Sequence, residues 1–282
     1  MKLLNLLDGS PIPVLGLGTW RMGESPTKRK AEVAAVRSAL DMGYRLIDTA
    51  EMYGGGGAEQ VVGQALQEAL RAGGLARESL FIVSKVYPHN ASRLALAAAC
   101  EGSRRRLGLD RIDLYLLHWR GAHALGETVA GMQDMQQAGQ IRFWGVSNFD
   151  VEDMVELQAI SPDCAVNQVY YSLGQRGPEF SLLPWLRQRG MPLMAYSPID
   201  QGSLARHAGL AAMAQARGET AAQLGLAWLL AQPGVVVIPK TVNETHLRDN
   251  LAATQCVLSA DEQRRIDGMF TPPQRKVPLA MT

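Results

Sequence analysis

Eight strand-like segments that alternate with helical segments predict an α/β protein of the (β/α)₈ TIM-barrel class. The strand-like segments are apolar on both faces, which is typical of parallel strands that helices cover. The chain has 282 residues, enough for eight units of about 30 residues each. We expect a single barrel domain over residues 1–282, and an open doubly wound sheet is the alternative fold.

A β-hairpin is expected at the N-terminus, ahead of the barrel. Asp8-Gly9 lies between two short apolar runs, a pattern that favours a tight turn between antiparallel strands. Because this segment precedes the first predicted barrel strand, we expect the hairpin to close the bottom of the barrel. We assign no strand to the motif GLGTW, which follows at residues 16–20.

Strands and helices then alternate along the chain. Each predicted strand is short and rich in β-branched or aliphatic residues, and each predicted helix repeats apolar residues three or four positions apart. The predicted strands are RLIDTA (45–50), LFIVSKVY (80–87), IDLYLLHW (112–119), RFWGVSNF (142–149), CAVNQVYYS (164–172), PLMAYSP (192–198), VVVIPK (235–240) and CVL (256–258). The predicted helices cover residues 28–43, 58–73, 92–108, 124–139, 151–160, 179–190, 210–218, 219–234, 243–253 and 259–270.

Composition argues against several classes of function. The 28 basic and 27 acidic side chains give a net charge of +1, so we expect no nucleic-acid-binding face. The sequence contains no run of about 18 apolar residues, so we expect no membrane span. Three widely spaced cysteines favour a reduced, cytoplasmic protein, and the five histidines show no metal-ligand spacing, so we expect no metal. We expect a monomer that acts on a small molecule.

Three ionisable side chains stand at the ends of three successive predicted strands. Asp48 ends the first strand, Lys85 ends FIVSK in the second, and His118 ends DLYLLH in the third. Because the parallel strands of a barrel all end on one face, these side chains should converge there. Tyr53 lies five residues after Asp48, so a short loop can fold its phenol over the same place. Each residue alone also has a structural explanation, and only their joint placement indicates a site.

These four groups suit the reduction of a carbonyl. A free phenol has a pKa of about 10, and a neighbouring ammonium lowers that pKa by favouring the phenolate. Asp48 would keep Lys85 charged and in position, so Tyr53 could donate a proton. A neutral His118 could donate a hydrogen bond to a substrate oxygen. No serine or cysteine stands beside a base as a nucleophile, so carbonyl reduction is indicated, given a source of hydride.

Later strand ends carry groups that fit a nicotinamide coenzyme. Amide side chains can hydrogen-bond a carboxamide, and an aromatic ring can stack on a planar ring. The candidates at the ends of the fourth to sixth predicted strands are Ser147, Asn148, Gln168, Tyr196, Ser197 and Pro198. After the seventh strand, Lys240, Thr241 and Asn243 lead into a helix, where barrels often bind phosphate. The alternative is that Asn243 only caps its helix.

Eight short motifs follow one another along the chain: GLGTW (16–20), DTAEMYG (48–54), SKV (84–86), LYLLHW (114–119), GVSNF (145–149), NQ (167–168), AYSP (195–198) and IPK (238–240). With these motifs in this order, the sequence resembles the aldo-keto reductase superfamily, and in particular its bacterial methylglyoxal-reductase-type members. The resemblance implies a (β/α)₈ barrel that uses NAD(P)H without a metal.

The resemblance also implies roles for individual residues. The implied catalytic residues are Asp48, Tyr53, Lys85 and His118, with Tyr53 as the acid. The implied coenzyme-binding residues are Thr19, Trp20, Ser147, Asn148, Gln168, Tyr196, Ser197, Pro198, Lys240, Thr241, Asn243, His246 and Asn250. Three aromatic residues are expected to line an apolar substrate cleft, and they are Trp20, Tyr87 and Trp119. Met52 is a further candidate for that cleft.

One position departs from the family pattern. Many members carry an arginine after the IPK motif that grips the 2′-phosphate of NADPH, and this sequence has His246 there. A neutral imidazole brings less charge than a guanidinium. The resemblance implies NADPH as the coenzyme, and the smaller charge at position 246 leaves NADH as an alternative.

The expected reaction is the NADPH-dependent reduction of aldehydes and small dicarbonyls, such as methylglyoxal-like 2-oxoaldehydes, to alcohols. The tail after Phe270 is short, so we expect an open pocket without a long lid. Two alternatives remain open: a sugar or keto-acid reductase on the same scaffold, and an NADPH-sensing regulatory subunit with little turnover. The complete set of four polar groups argues against the regulatory subunit.

Overall fold

The computed structural model describes residues 2–281 and contains eight parallel strands with helices between them. The strands at the two ends of this sheet also meet, through bridges between Leu15 and Val237 and between Gly18 and Lys240. These bridges bring the sheet round into a barrel, so the predicted (β/α)₈ fold is confirmed.

Apart from the first barrel strand and the predicted strand at residues 256–258, the elements follow the predicted order, with bounds that differ by a few residues. The N-terminal hairpin consists of β1 (Leu3–Asn5) and β2 (Pro11–Pro13). The barrel strands are β3 (Gly16–Gly18), β4 (Leu46–Asp48), β5 (Phe81–Val86), β6 (Ile112–Leu117), β7 (Ile141–Ser147), β8 (Asn167–Tyr170), β9 (Leu193–Tyr196) and β10 (Val235–Val237). The helices are α1 (Arg29–Asp41), α2 (Gly57–Ala72), α3 (Arg93–Leu107), α4 (Leu125–Gln137), α5 (Val151–Ile160), α6 (Leu182–Gln188), α7 (Ala208–Ala216), α8 (Ala221–Leu230), α9 (Glu244–Ala252) and α10 (Ala260–Met269).

The first barrel strand is β3, and the predicted strand at residues 256–258 is wrong. Glycine is uncommon in strands, so the composition of GLG does not predict a strand. In the barrel, however, glycine at position 18 lets the backbone of Ile238 lie close to β3, since a Cβ on Gly18 would be 2.7 Å from the carbonyl oxygen of Ile238. Residues 256–258 instead form an irregular connection to α10, in which Val257 is 82% exposed. Asp48, Lys85 and His118 therefore stand at the C-terminal ends of the second, third and fourth strands of the barrel, still in succession.

The hairpin lies under the barrel, at the N-terminal ends of its strands. β1 pairs with β2 in antiparallel register. Leu6 and Ile12 are buried in the apolar cluster that fills the barrel, together with Leu46 and Phe81, the first residues of β4 and β5. The prediction that the hairpin closes the barrel bottom is therefore confirmed.

The helices cover the outside of the barrel and bury a second apolar cluster against the strands. Their ends carry local signals: the Ser92 side chain accepts a hydrogen bond from the Ala95 amide at the start of α3, and Gly108 ends α3 in the left-handed conformation. Within residues 2–281, no helix is long and apolar enough to cross a membrane.

Candidate active site

Successive strands bring three ionisable side chains to the C-terminal face of the barrel. Asp48 is the last residue of β4, Lys85 lies one residue before the end of β5, and His118 directly follows β6. Lys85 Nζ donates hydrogen bonds to Asp48 Oδ2 at 2.8 Å and to Tyr53 Oη at 3.2 Å. It also donates to the carbonyl oxygen of Thr49 at 2.9 Å. An ammonium has three N–H donors, so all of them point to protein acceptors.

The Lys85 ammonium is fully buried in spite of its charge. Burial lowers the pKa of Lys85, but Asp48 and Tyr53 together raise it by more, so the pKa lies above its ordinary value. Lys85 is therefore a fixed positive charge beside the Tyr53 oxygen.

The pKa of Tyr53 is raised, contrary to the prediction that the nearby ammonium would lower it. Burial is the largest cause, and the charge of Asp48 acts in the same direction, whereas Lys85 lowers the pKa through its charge and its hydrogen bond. The ammonium thus acts as predicted, but burial outweighs it. Tyr53 is held as a neutral phenol, which is the form that can donate a proton.

His118 is a neutral imidazole beside Tyr53. Burial, and then the charge of Lys85, lower the pKa of His118 to about 2. Its ring stands edge-on to the Tyr53 ring, with 5.8 Å between the centroids. Among residues 2–281, its buried Nδ1 has no hydrogen-bond partner. A neutral imidazole carries one N–H donor, so His118 can hydrogen-bond a ligand oxygen without bringing a charge.

Asp48 orients a second side chain in addition to Lys85. Its Oδ1 accepts a hydrogen bond from Gln168 Nε2 at 2.8 Å, and its carbonyl oxygen accepts one from Thr19 Oγ1 at 2.9 Å. Because an ionised carboxylate only accepts, the amide nitrogen of Gln168 must face Asp48. The amide oxygen of Gln168 is then left to accept a hydrogen bond from a ligand.

The loop that carries Tyr53 turns back through a run of glycines. Gly54, Gly55 and Gly56 have φ angles of 59°, 59° and 90°, which other residues rarely adopt. These conformations return the chain to α2 and leave the Tyr53 hydroxyl beside Lys85.

A cavity of about 560 Å³ lies at this face of the barrel, and most of the predicted site residues line it. They are Thr19, Trp20, Asp48, Tyr53, His118, Trp119, Asn148, Gln168, Tyr196, Ser197, Pro198, Lys240 and His246, with the cleft candidate Met52. The cavity therefore extends from Tyr53 and His118 to the first turn of α9.

Three predicted site residues lie behind the cavity wall. Lys85 and Ser147 are buried, and Ser147 Oγ accepts a hydrogen bond from Asn148 Nδ2 at 3.2 Å. Tyr87 is not among the lining residues described, contrary to its predicted place in the cleft. It packs edge-on against Trp119, with 5.9 Å between ring centroids, and so supports the wall from outside.

Three more predicted residues build the start of α9 instead of facing the cavity. Asn243 Oδ1 accepts a hydrogen bond from the His246 amide at 3.2 Å, and Thr241 Oγ1 accepts one from the Asn243 amide at 3.0 Å. Asn250 is buried further along the helix. Asn243 thus caps the N-terminus of α9, as the alternative interpretation of the sequence proposed. Its hydrogen bond fixes the backbone of His246, whose side chain lines the cavity.

Asn148 and Tyr196 hold each other in place. Tyr196 Oη donates to Asn148 Oδ1 at 2.9 Å, while Asn148 Nδ2 donates to the His118 carbonyl oxygen at 3.1 Å and to Ser147 Oγ. Each polar atom of the Asn148 side chain therefore has a protein partner. Both N–H donors of Nδ2 are used, whereas Oδ1 accepts one hydrogen bond and keeps a second lone pair that a ligand donor can reach.

Seven residues that the sequence did not assign to the site also line the cavity. They are Gly18, Arg21, Ile199, Gln201, Gly202, Ile238 and Met281. Arg21 has a left-handed φ of 63° and lies over the Trp20 ring, with its guanidinium carbon 4.4 Å from the centroid. Arg21 directly follows the motif GLGTW, and this position in the sequence could have identified it as a site residue.

The C-terminal tail contributes Met281 to the cavity wall, so the pocket is less open than its short length suggested. Lys276 forms ion pairs with Asp150, at 3.1 Å, and with Glu152 at the start of α5. Leu279 packs against the second apolar cluster, which lies between the helices and the barrel strands. These contacts hold the tail across the face of the barrel. No periodic pattern in the sequence predicts them.

Comparison with known proteins identifies the family of the chain. A model of the Aldo/keto reductase family matches residues 14–270. The chain is 46% identical to methylglyoxal reductase YeaE of Escherichia coli (strain K12) over 99% of each protein, and 35% identical to glyoxal reductase of Bacillus subtilis (strain 168) over 94% of this chain and 92% of that protein. An aldo-keto reductase from Klebsiella pneumoniae, crystallised in complex with NADPH, matches with a TM-score of 0.94 at 46% identity, over 100% of this chain and 99% of that one. The chain therefore belongs to the aldo/keto reductase family.

Proposed function

We propose that the protein reduces aldehydes and small dicarbonyls, including methylglyoxal-like 2-oxoaldehydes, to alcohols with NADPH. The observation that carries the proposal is the chain of hydrogen bonds from Asp48 through Lys85 to Tyr53 at the cavity wall. Relatives described as methylglyoxal and glyoxal reductases support the substrate class. The neighbour crystallised with NADPH supports the coenzyme.

Tyr53 is the proposed proton donor. As the substrate oxygen gains negative charge, the phenol transfers its proton to that oxygen, and the Lys85 ammonium stabilises the phenolate that remains. Asp48 keeps Lys85 in place. His118 donates a hydrogen bond from its neutral imidazole to the same oxygen and so orients the carbonyl.

The two ends of the cavity offer suitable groups for a dinucleotide coenzyme. Near Tyr53, the amide oxygen of Gln168 can accept a hydrogen bond from a carboxamide, and the Tyr196 ring offers a surface for a planar ring. At the other end, Lys240 and His246 lie at the start of α9, where helix N–H groups favour an anion. When bound, the coenzyme supplies the hydride.

The cavity dimensions favour a small substrate. Ligand pockets commonly measure about 300–1,000 Å³, and here about 560 Å³ has to hold the reacting end of the coenzyme as well as the carbonyl. Trp20, Met52, Trp119 and Met281 make much of the wall apolar. A small aldehyde or 2-oxoaldehyde fits these limits better than a sugar does.

Steady-state oxidation of NADPH in the presence of methylglyoxal tests the proposal directly. We expect turnover with methylglyoxal and other small aldehydes, and slower turnover with sugars and keto acids. A rate equal to that of the enzyme-free control with every substrate would contradict the proposal and favour a coenzyme-sensing subunit. A higher kcat/KM for sugars or keto acids would favour the alternative reductase.

The coenzyme preference is expected to depend on His246. Replacing His246 with arginine should tighten NADPH binding roughly tenfold relative to NADH, because a guanidinium adds a charge-assisted hydrogen bond to the 2′-phosphate. Titration of protein fluorescence with each coenzyme measures the ratio of the two dissociation constants. His246→Gln serves as the uncharged control, and an unchanged ratio in His246→Arg would show that position 246 does not contact the phosphate.

A further inference from the structure

Glu59 is a fully buried carboxylate that the proposed reaction does not use. It lies in the first turn of α2, directly after the glycine loop that carries Tyr53. Its Oε1 accepts a hydrogen bond from Ser84 Oγ at 2.5 Å, and its Oε2 accepts one from Arg106 Nε at 2.5 Å. One carboxylate therefore links α2, β5 and α3.

Each partner of Glu59 leads to a part of the active site. Ser84 immediately precedes Lys85 in β5. Arg106 packs against the glycine loop, where a Cβ on Gly56 would lie 2.6 Å from Arg106 Cδ. The Glu59–Arg106 pair thus lies between the loop that holds Tyr53 and the strand that holds Lys85.

A glycine loop needs such external support. Gly54, Gly55 and Gly56 have no side chains to pack, and glycine loses more conformational freedom on ordering than any other residue. The loop rests on Gly23 at one side, where a Cβ on Gly54 would be 2.9 Å from the Gly23 carbonyl carbon. Arg106 forms the support at the other side.

We propose that the Glu59–Arg106 ion pair is a positioning device that sets the separation between Tyr53 and Lys85, here 3.2 Å between Oη and Nζ. This inference rests on the proposed function. A buried ion pair is weak evidence for stability, since apolar residues of similar volume often replace one without loss of the fold. Its effect is therefore expected in the reaction rate.

The chain contains a matched control for this idea. Asp113 is also buried, pairs with Arg77 at 2.7 Å, and accepts a hydrogen bond from the amide of Ile82 in β5 at 2.8 Å. This second pair links the N-terminal ends of β5 and β6, at the end of the barrel opposite Tyr53. It has the same chemistry without a connection to the active-site loop.

The test compares two double variants, Glu59→Leu/Arg106→Leu and Arg77→Leu/Asp113→Leu. In the first we expect kcat for methylglyoxal to fall roughly 10- to 100-fold while the NADPH dissociation constant stays within about twofold. In the control pair we expect kcat to stay within about twofold of wild type, whatever happens to the unfolding midpoint. Equal kcat losses in both variants, or wild-type kcat in the first, would overturn the inference.

Introducing Tyr53→Phe into the first double variant separates positioning from general structural damage. If the pair acts through Tyr53, its removal should lower the residual rate of Tyr53→Phe by no more than about twofold. A further loss as large as that in the wild-type background would show that the pair acts elsewhere.

Ser84→Ala is a second variant in case the double variant does not fold, because it keeps the ion pair and removes only its link to β5. A several-fold fall in kcat is expected, and an unchanged kcat would count against the inference. If the wild-type protein shows no turnover, the proposed function fails. If it turns over and these variants match it, only the positioning inference fails.

Discussion

Replacing Tyr53 with phenylalanine is expected to lower kcat for carbonyl reduction roughly 10²- to 10⁴-fold, the range that a positioned general acid contributes. The substitution removes one oxygen and keeps the ring that packs beside His118. Coenzyme binding should therefore remain, since the loss is confined to the proton donor. Single-turnover oxidation of NADPH with methylglyoxal, with a parallel fluorescence titration of NADPH, measures both quantities.

A second tyrosine provides the control for this substitution. Tyr171 Oη donates to Glu179 Oε1 at 2.9 Å, and its ring packs against Trp228, away from the cavity wall. Tyr171→Phe should cost about 1.5–3 kcal/mol of unfolding free energy, as expected for one lost hydrogen bond to a charged group, with kcat unchanged. Wild-type turnover in Tyr53→Phe would remove Tyr53 from the role of acid.

Replacing Lys85 with methionine is expected to impair both folding stability and turnover. Methionine keeps much of the side-chain volume but leaves Asp48 as a buried carboxylate without its cation. Removing one partner of a buried ion pair costs about 3–5 kcal/mol, so the urea midpoint of unfolding should fall clearly. The rate should also fall, because Tyr53 loses the ammonium that stabilises its phenolate.

The double variant Lys85→Met/Asp48→Asn separates these two effects. An asparagine at position 48 removes the unpaired charge, so much of the lost stability should return. Activity should not return, since no cation is restored beside Tyr53. If either variant turned over methylglyoxal at the wild-type rate, Lys85 would have no part in the reaction.

Strand order accounts for most of what could be inferred about the site in advance. Asp48, Lys85 and His118 could be placed together because parallel strands of a barrel end on one face, whatever the connecting loops do. Tyr53 could be added because only a short loop separates it from Asp48. In the structure, Lys85 hydrogen-bonds Asp48 and Tyr53, and the His118 ring packs edge-on against the Tyr53 ring.

The sequence misled where side-chain pattern and tertiary role differ. GLG at residues 16–18 has Leu17 as its only apolar side chain, yet it forms β3, in which the carbonyl oxygen of Ile238 leaves no room for a Cβ at Gly18. CVL at residues 256–258 has strand-like composition but lies outside the sheet. Strand propensities describe residues in typical sheets, whereas at β3 the neighbouring backbone lies too close for a side chain at Gly18.

The barrel class, the hairpin beneath it and the convergence of the four polar groups followed from periodicity, strand order, the Asp8-Gly9 turn and the short loop between Asp48 and Tyr53. Three features came only from the tertiary structure: burial outweighs the ammonium at Tyr53, Met281 reaches the cavity, and Glu59 with Arg106 supports the glycine loop. The reason is that a pKa and a cavity wall depend on contacts between residues far apart in the chain. A local pattern records which residues are available for such contacts, and the packed structure decides which contacts form.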